Sequence, residues 1–427
     1  MSDFKPTSYS LKNISTGRTF DDSGWVLDDP EGRYPSLIRA EYAKSRIDVG
    51  PEEEGIYRFC DWLPLRRTLA GSASPVTYRS EALAKELGLD NLYITFNGWF
   101  PERGARMTTC SFKETEAFSV CGRMGDDFGR VLVVASAGNT ARAFAKVCSL
   151  NKIPLLLCVP EDNLDALWFD EPLDDCVKLI ASCCGADYFD AIHLSNIAVT
   201  SSKFIAEGGA KNIARRDGMG TTMLSATHTI GRIPDYYFQA VGSGTGAIAA
   251  VEANIRLMND ARFGNKRMRL MLSQNAPFLP MFDAWRAGSR ELLPLDDDHA
   301  RRQVETISAK VLSNRRPPYS IAGGLFDCLK WSDGTIIDVC NEEAARAGEL
   351  FEKLEGVDIH PASAVAVASL VKSCASIDKD AIIMLNITGG GEKRMKAGKE
   401  LHYLKPAKIF GIDPSPREVL DFVETLF

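Results

Sequence analysis

The sequence predicts an α/β protein whose open, mainly parallel sheets carry helices on both faces. Three observations lead there. Segments that read as strands alternate repeatedly with segments of helical spacing, and the connections between them are short. The clearest strands, "RVLVVAS" and "IPLLLCVP", are unbroken apolar runs rather than alternating ones, as expected when both sides of a strand are covered. Glycine-bearing loops, "SAGNTA", "GSGTGA" and "ITGGG", follow such strands, and in folds of this kind the working loops lie at the carboxyl ends of strands.

Taken in order, the first ~50 residues are polar and rich in Asp, Gly and Ser, and read as an irregular segment. Leu83 and Leu87 have helical spacing, Gly88 stops that helix, and "NLYITF" is a strand. "RVLVVAS", "NTARAFAKVCSLN" and "IPLLLCVP" read as strand, helix and strand. "DDCVKLIASCCG" reads as a helix, "ADYFDA" as the start of a strand and "SNIAVTSSKFIAEG" as a helix. "DYYFQAVGSGTGAIAAVEANIRLM" is strand, glycine loop and helix, followed by the strand "MRLMLSQN". "NEEAARAGELFEKLEG" and "PASAVAVASLVKSC" are helices, and "DAIIMLNITGGG" is a strand running into glycines. The turn in "LPLDDDHARRQ" reads as solvated and as the start of a helix.

At 427 residues the chain should form two domains, or one large body with a lobe. A net charge of -7 argues against a nucleic-acid binder that relies on a basic face. No run of ~20 apolar residues is present, so no membrane span is expected. The start, "MSDFKPTSYSLKN", does not read as a secretory signal. Eleven scattered cysteines without a C-x-x-C pair read as reduced thiols in the cytoplasm, with Cys183 and Cys184 as small buried thiols.

The chemistry centres on two stretches. In "AVGSGTGAIAAV", Gly242, Gly244 and Gly246 allow a tight turn into a helix amino terminus, a cradle for phosphate; a purely structural turn is the plain alternative. A dinucleotide is one candidate, since Gly242, Gly244 and Ala247 fit G-x-G-x-x-A. The acidic residue that should follow at the end of the next strand is missing, where Ser273, Gln274 and Asn275 stand. A single phosphate monoester is the other. Pyridoxal phosphate is such a ligand and needs a lysine. In "MTTCSFKETEAF", Lys113 stands between a Ser-Phe pair and an acidic, helix-favouring run, and read alone the stretch favours an ordinary solvated lysine.

The succession "CSFKE", "SAGNTA", "GSGTG", "PASAVA" and "NITGGG", preceded by "GIYRFCDWLPL", resembles the fold-type II pyridoxal-phosphate enzymes over nearly the whole chain. It resembles threonine synthases in particular, and within that group most closely the archaeal cysteate synthases, threonine synthase paralogues associated with coenzyme M synthesis in methanogens. The resemblance implies a tryptophan synthase β-like fold of two open sheets with the active site between domains. The expected division is 1–98 for an N-terminal segment with part of the large domain, 99–217 for the smaller domain and 218–427 for the large one.

It also implies pyridoxal 5'-phosphate as cofactor and a role for each matching residue. Lys113 would carry the cofactor as a Schiff base, and Asn139 would bond its 3′ oxygen. Gly242, Ser243, Gly244, Thr245 and Gly246 would hold its phosphate, and Thr388 would face the pyridine nitrogen. Ser136, Ala137, Gly138 and Thr140 would hold the substrate carboxylate. Arg103 and Arg106, in the loop before the lysine, would hold a substrate phosphate or incoming anion, or would be solvated.

Departures from the threonine synthase pattern stand at Cys110, where a glycine is usual, at Glu114-Thr115 in place of Asp-Arg, and at His360 in place of Glu. His360 reads as a pocket-wall residue, and Arg215-Arg216 as a surface pair. The N-terminal segment resembles a zinc ribbon without its cysteines, so no metal is expected. The expected reaction joins O-phospho-L-serine and sulfite into L-cysteate and phosphate. Threonine synthase, phosphoserine sulfhydrylase and a silent pyridoxal-phosphate binder are the alternatives. A homo-oligomer is expected.

Overall fold

The computed structural model describes residues 4–136, 138–186 and 188–427. Its frame is a pair of sheets. The larger has six strands in the order Thr335–Val339, Arg269–Asn275, Tyr236–Ala240, Ile382–Ile387, Asn91–Phe96 and Val76–Arg79. All neighbours are parallel except Val76–Arg79, which closes the edge antiparallel to Asn91–Phe96. Successive residues of these strands feed opposite cores. Phe238 and Leu385 pack with Leu92, Ile94 and helix Pro361–Ser373 on one face. Tyr237, Leu270, Leu272 and Met384 pack with Ile248 and Val251 of helix Thr245–Asp260 on the other. Burial on both faces is why the strands read as unbroken apolar runs.

The smaller sheet has five strands, all parallel, in the order Phe204–Ala206, Val131–Ala135, Leu155–Pro160, Val177–Ser182 and Lys408–Phe410. Leu132, Val134, Leu155 and Leu157 face one core, and Val131, Val133, Leu156 and Cys158 the other. The α/β class and parallel sheets are therefore as the sequence suggests, but several elements differ. "DDCVKLIASCCG" forms the strand Val177–Ser182, and the residues after it form helix Tyr188–Ala198. Short apolar runs of this length fit either state, and here pairing with Leu155–Pro160 decides. Cys183 is half-buried and Cys184 exposed, so this pair is not the buried one expected.

The domain boundaries also change. Lys408–Phe410 pairs with Val177–Ser182, and Val419 and Val423 of helix Pro416–Val423 pack beneath the smaller sheet, so the tail returns to that domain rather than ending in the large one. The N-terminal segment is not irregular: Tyr9–Asn13, Thr19–Phe20 and Ile38–Tyr42 form a three-stranded antiparallel sheet. Helix Ile213–Ile230, which the sequence pattern does not reveal, is buried on nearly every side and so has no amphipathic stripe. Its Gly218 lies so close to helix Lys113–Arg123 that a Cβ there would sit 2.4 Å from the Thr115 carbonyl oxygen. Among the described residues, no helix is long and apolar enough to cross a membrane, and no three His, Cys, Asp or Glu converge to hold a metal ion.

Candidate active site

The carboxyl ends of both sheets open onto one cavity of about 1250 Å³. That exceeds the roughly 300–1,000 Å³ of common small-molecule sites, and leaves room for a cofactor together with a substrate. Lys113, Ser136, Gly138, Asn139, Thr140, the loop Gly242 to Gly246 and Thr388 all line it. Ala137 lies outside the described residues. These residues come from four separate stretches of chain, brought together by the parallel topology.

Lys113 is the first residue of helix Lys113–Arg123, and its backbone N–H donates to Ser111 Oγ at 3.1 Å. Its Nζ lies 3.0 Å from Glu116 Oε2 and 5.0 Å from the centre of the Phe112 ring. Burial first, and then the charge of Arg215, hold the lysine below its ordinary pKa, against the opposing charges of Glu116 and Glu207. A lowered pKa shifts the lysine toward the neutral amine, the form that acts as nucleophile and base. The turn before it contains Cys110 at φ 55°, a left-handed conformation that favours glycine. This explains why glycine is the usual residue there; the cysteine holds the conformation at a cost of about 1–3 kcal/mol.

Helix Asn139–Leu150 points its amino end at the cavity. The Ser136 hydroxyl accepts hydrogen bonds from the N–H groups of Gly138 and Ala141, both at 3.1 Å, so it braces this helix start. Asn139 Oδ1 accepts from Arg142 Nη2 at 3.1 Å, which orients its amide. Thr388 follows strand Ile382–Ile387, and its hydroxyl lies 3.3 Å from Ser363 Oγ. His360 lines the cavity at the amino end of helix Pro361–Ser373, with Nε2 3.0 Å from Glu392 Oε2. Burial alone would raise the pKa of Glu392. The close approach of His360, the charge of Arg142 and the hydrogen bond from Lys396 override it, holding the carboxyl well below its usual range.

Glu114 is buried and accepts two hydrogen bonds from Thr109, from N–H at 2.8 Å and Oγ1 at 2.7 Å. Burial outweighs these bonds and raises its pKa from 4.5 to about 7. The folded chain therefore holds this proton more tightly than the unfolded one. The stability it contributes is complete below about pH 4.5 and is lost as pH rises through about 7. Glu114→Gln, which cannot ionise, should gain on the wild type by on the order of 3 kcal/mol between about pH 4.5 and about pH 8. Parallel denaturation curves at the two pH values check this, and a constant difference between the proteins would refute it.

Two expected residues are elsewhere. Neither Arg103 nor Arg106 lines the cavity. Arg103 stacks 4.5 Å over the Tyr78 ring, and Arg106 is exposed in a two-stranded ribbon with Trp99–Phe100. That ribbon turns the loop away from the lysine it precedes. The lysines and arginines that line the cavity besides Lys113 are Lys211, Arg215, Arg301, Lys310, Arg315 and Arg316. No local motif marks these residues. Nor are Arg215 and Arg216 a surface pair: Arg216 is fully buried with its Nε 2.9 Å from Glu252, and Arg215 pairs with Glu207 at 2.8 Å.

The glycine loop tests whether the site suits pyridoxal phosphate. A Cβ on Gly242 would meet the Val311 carbonyl at 2.9 Å, and one on Gly246 would meet Gln239 Nε2 at 2.7 Å. Only glycines let bare backbone line the cavity where helix Thr245–Asp260 begins, and such a surface suits a phosphate dianion. With a pKa-lowered lysine, an amide and a hydroxyl on the same cavity, the residues present fit the cofactor.

Sheets, cavity and lysine together define a pyridoxal-phosphate enzyme of fold type II, and residues 72–389 match the family described as pyridoxal-phosphate dependent enzyme. The chain is 49% identical over 401 residues to a cysteate synthase of Methanosarcina acetivorans, covering 93% of this chain and 95% of the relative. It is 47% identical over 420 residues to a cysteate synthase of Methanocella arvoryzae, covering 97% and 99%. The chain belongs to the cysteate synthase family. Solved structures share its fold. Maize serine racemase superposes with a TM-score of 0.56 at 15% identity, covering 74% of this chain and 88% of that one. A pyridoxal 5'-phosphate-dependent aspartate racemase superposes at 0.55, also at 15% identity, covering 74% and 90%.

Proposed function

We propose that the chain converts O-phospho-L-serine and sulfite to L-cysteate and phosphate. The observation that carries this reading is Lys113: its amine, held below the ordinary lysine pKa, shares one cavity with the glycine loop and the asparagine helix. When bound, pyridoxal phosphate supplies an electron sink that acidifies the substrate α-carbon and permits departure of the β-phosphate. Lys113 Nζ carries the cofactor and moves the proton at the α-carbon. Gly242 to Gly246 bind the cofactor phosphate, Asn139 orients the ring through its 3′ oxygen, and Thr388 faces the ring nitrogen as a neutral partner. The start of helix Asn139–Leu150, with Ser136, Gly138 and Thr140, binds the substrate carboxylate.

Sulfite is an anion that must approach a site already holding a carboxylate and a phosphate. Fixed positive charge at the cavity wall offsets that repulsion, and Lys211, Arg315 and Arg316 are in position to provide it. We place the enzyme in the cytoplasm, as a homo-oligomer, on its cysteine pattern and family resemblance.

Incubation of the purified protein and cofactor with O-phosphoserine and sulfite should yield cysteate and phosphate in equal amounts, read by mass spectrometry and a phosphate assay. O-phosphohomoserine with water should give little threonine, and sulfide should replace sulfite poorly. Efficient threonine formation, with no cysteate at any sulfite concentration, would return the chain to the threonine synthases.

A further inference from the structure

Lys113 has a partner that neither the motif nor the proposed reaction assigns. Glu116 lies one turn further along the same helix, and its side chain is wholly buried. One carboxylate oxygen, Oε2, is 3.0 Å from Lys113 Nζ. The other, Oε1, lies 3.3 Å from Arg215 Nη2 but has no hydrogen-bond partner. A carboxylate taken from water and left with one oxygen unsatisfied is costly, and a pair of this spacing on a helix surface would contribute little. Its position at the cavity lysine gives it a chemical use.

As an ammonium, Lys113 has no lone pair with which to attack an aldehyde. Its nitrogen must first give up a proton, and the Glu116 carboxylate, which accepts a hydrogen bond from Nζ at 3.0 Å, opposes that loss. We propose that Glu116 is a positioning residue whose charge favours the protonated form of Lys113 and so sets the pH range in which the free amine captures the cofactor. The proton leaves Nζ for solvent, so that a neutral amine stands beside the Glu116 carboxylate. The amine nitrogen then bonds to the aldehyde carbon, the aldehyde oxygen leaves as water, and a proton from solvent returns to the nitrogen. This inference rests on the reading of Lys113 as the cofactor-bearing lysine.

The groups facing the pair decide the sign of the test. Arg215 reaches in from helix Ile213–Ile230, and Glu207, which follows strand Phe204–Ala206, pairs with it at 2.8 Å. Tyr188 approaches from the adjacent helix, and the glycine loop brings no ionisable side chain. The charge of Glu116 favours the ammonium and that of Arg215 disfavours it, with Glu207 opposing Arg215. Neutralising Glu116 therefore moves Lys113 toward the free amine.

Cofactor should be stripped from the wild type, E116Q and E116D, and pyridoxal phosphate added back from about pH 6 to about pH 9. Capture is followed by the visible absorption band and by borohydride trapping, with the labelled lysine identified by peptide mass. The midpoint of capture in E116Q should fall by about one pH unit, a tenfold rise in neutral amine at fixed pH. E116D, which keeps the charge but draws it back by one methylene, should fall by part of that amount. An unchanged midpoint in E116Q overturns the proposal. Should E116Q fail to fold, identical midpoints in E116D and wild type overturn it instead. Label on a lysine other than Lys113 would defeat the underlying reading and not this step alone.

Discussion

Lys113→Ala should lose the visible absorption band of the holoenzyme and slow turnover by at least about 10²–10⁴-fold, the range for removing one general acid–base group. The substitution removes the amine proposed to carry the cofactor, which lies 3.0 Å from Glu116. It also leaves the buried Glu116 facing Arg215 alone, so the fold keeps one compensating cation there. Cofactor would then be held by the loop, amide and hydroxyl contacts, and should leave on dialysis. Absorption spectra before and after dialysis, with borohydride labelling, check the result. An unchanged band with label on a different lysine would remove Lys113 from the centre of the chemistry.

Gly244→Asp should prevent cofactor retention altogether. Two effects act together. Gly244 has φ +79°, and a Cβ there would come within 2.8 Å of Leu325 Cδ2, so any side chain is strained, by about 1–3 kcal/mol. A carboxylate at the same point meets the cofactor phosphate as a like charge, at the amino end of a sixteen-residue helix whose N–H groups would otherwise bind it. A combined loss of ~3 kcal/mol or more weakens the cofactor at least ~100-fold. Gly244→Ala separates the two effects and should show only the smaller, steric part. Fluorescence titration of stripped protein with pyridoxal phosphate measures both. Normal affinity in Gly244→Asp would mean that the loop is a structural turn.

The stretches "CSFKE", "SAGNTA" and "GSGTG", which line the cavity, could be picked out in the chain because each is a local device: a lysine at a helix start, a loop entering a helix, a glycine turn after a strand. Such devices depend on residues within a few positions of one another, so their types and spacing are written in order. Several buried strands, Val131–Ala135 and Leu155–Pro160 among them, announce themselves likewise, since burial on both faces demands continuous apolar residues.

Other features depend on contacts remote in sequence. Val177–Ser182 is a strand because Leu155–Pro160 and Lys408–Phe410 lie on either side of it, and its own spacing fits a helix as well. Helix Ile213–Ile230 has no stripe because the lysine helix, the glycine-loop helix and the edge strand Val76–Arg79 surround it. Arg103 and Arg106 stand near Lys113 in the chain, yet a two-stranded ribbon carries them off the cavity, while Arg315 and Arg316, two hundred residues later, reach its wall. Glu116 has the spacing of an ordinary surface ion pair. Only the packing of Arg215 and Glu207 around it makes it a buried charge beside the lysine. Backbone preference and burial pattern act over a few residues and belong to the sequence. Electrostatic environment and exposure are sums over everything within about 10 Å, and those neighbours are chosen by the tertiary fold.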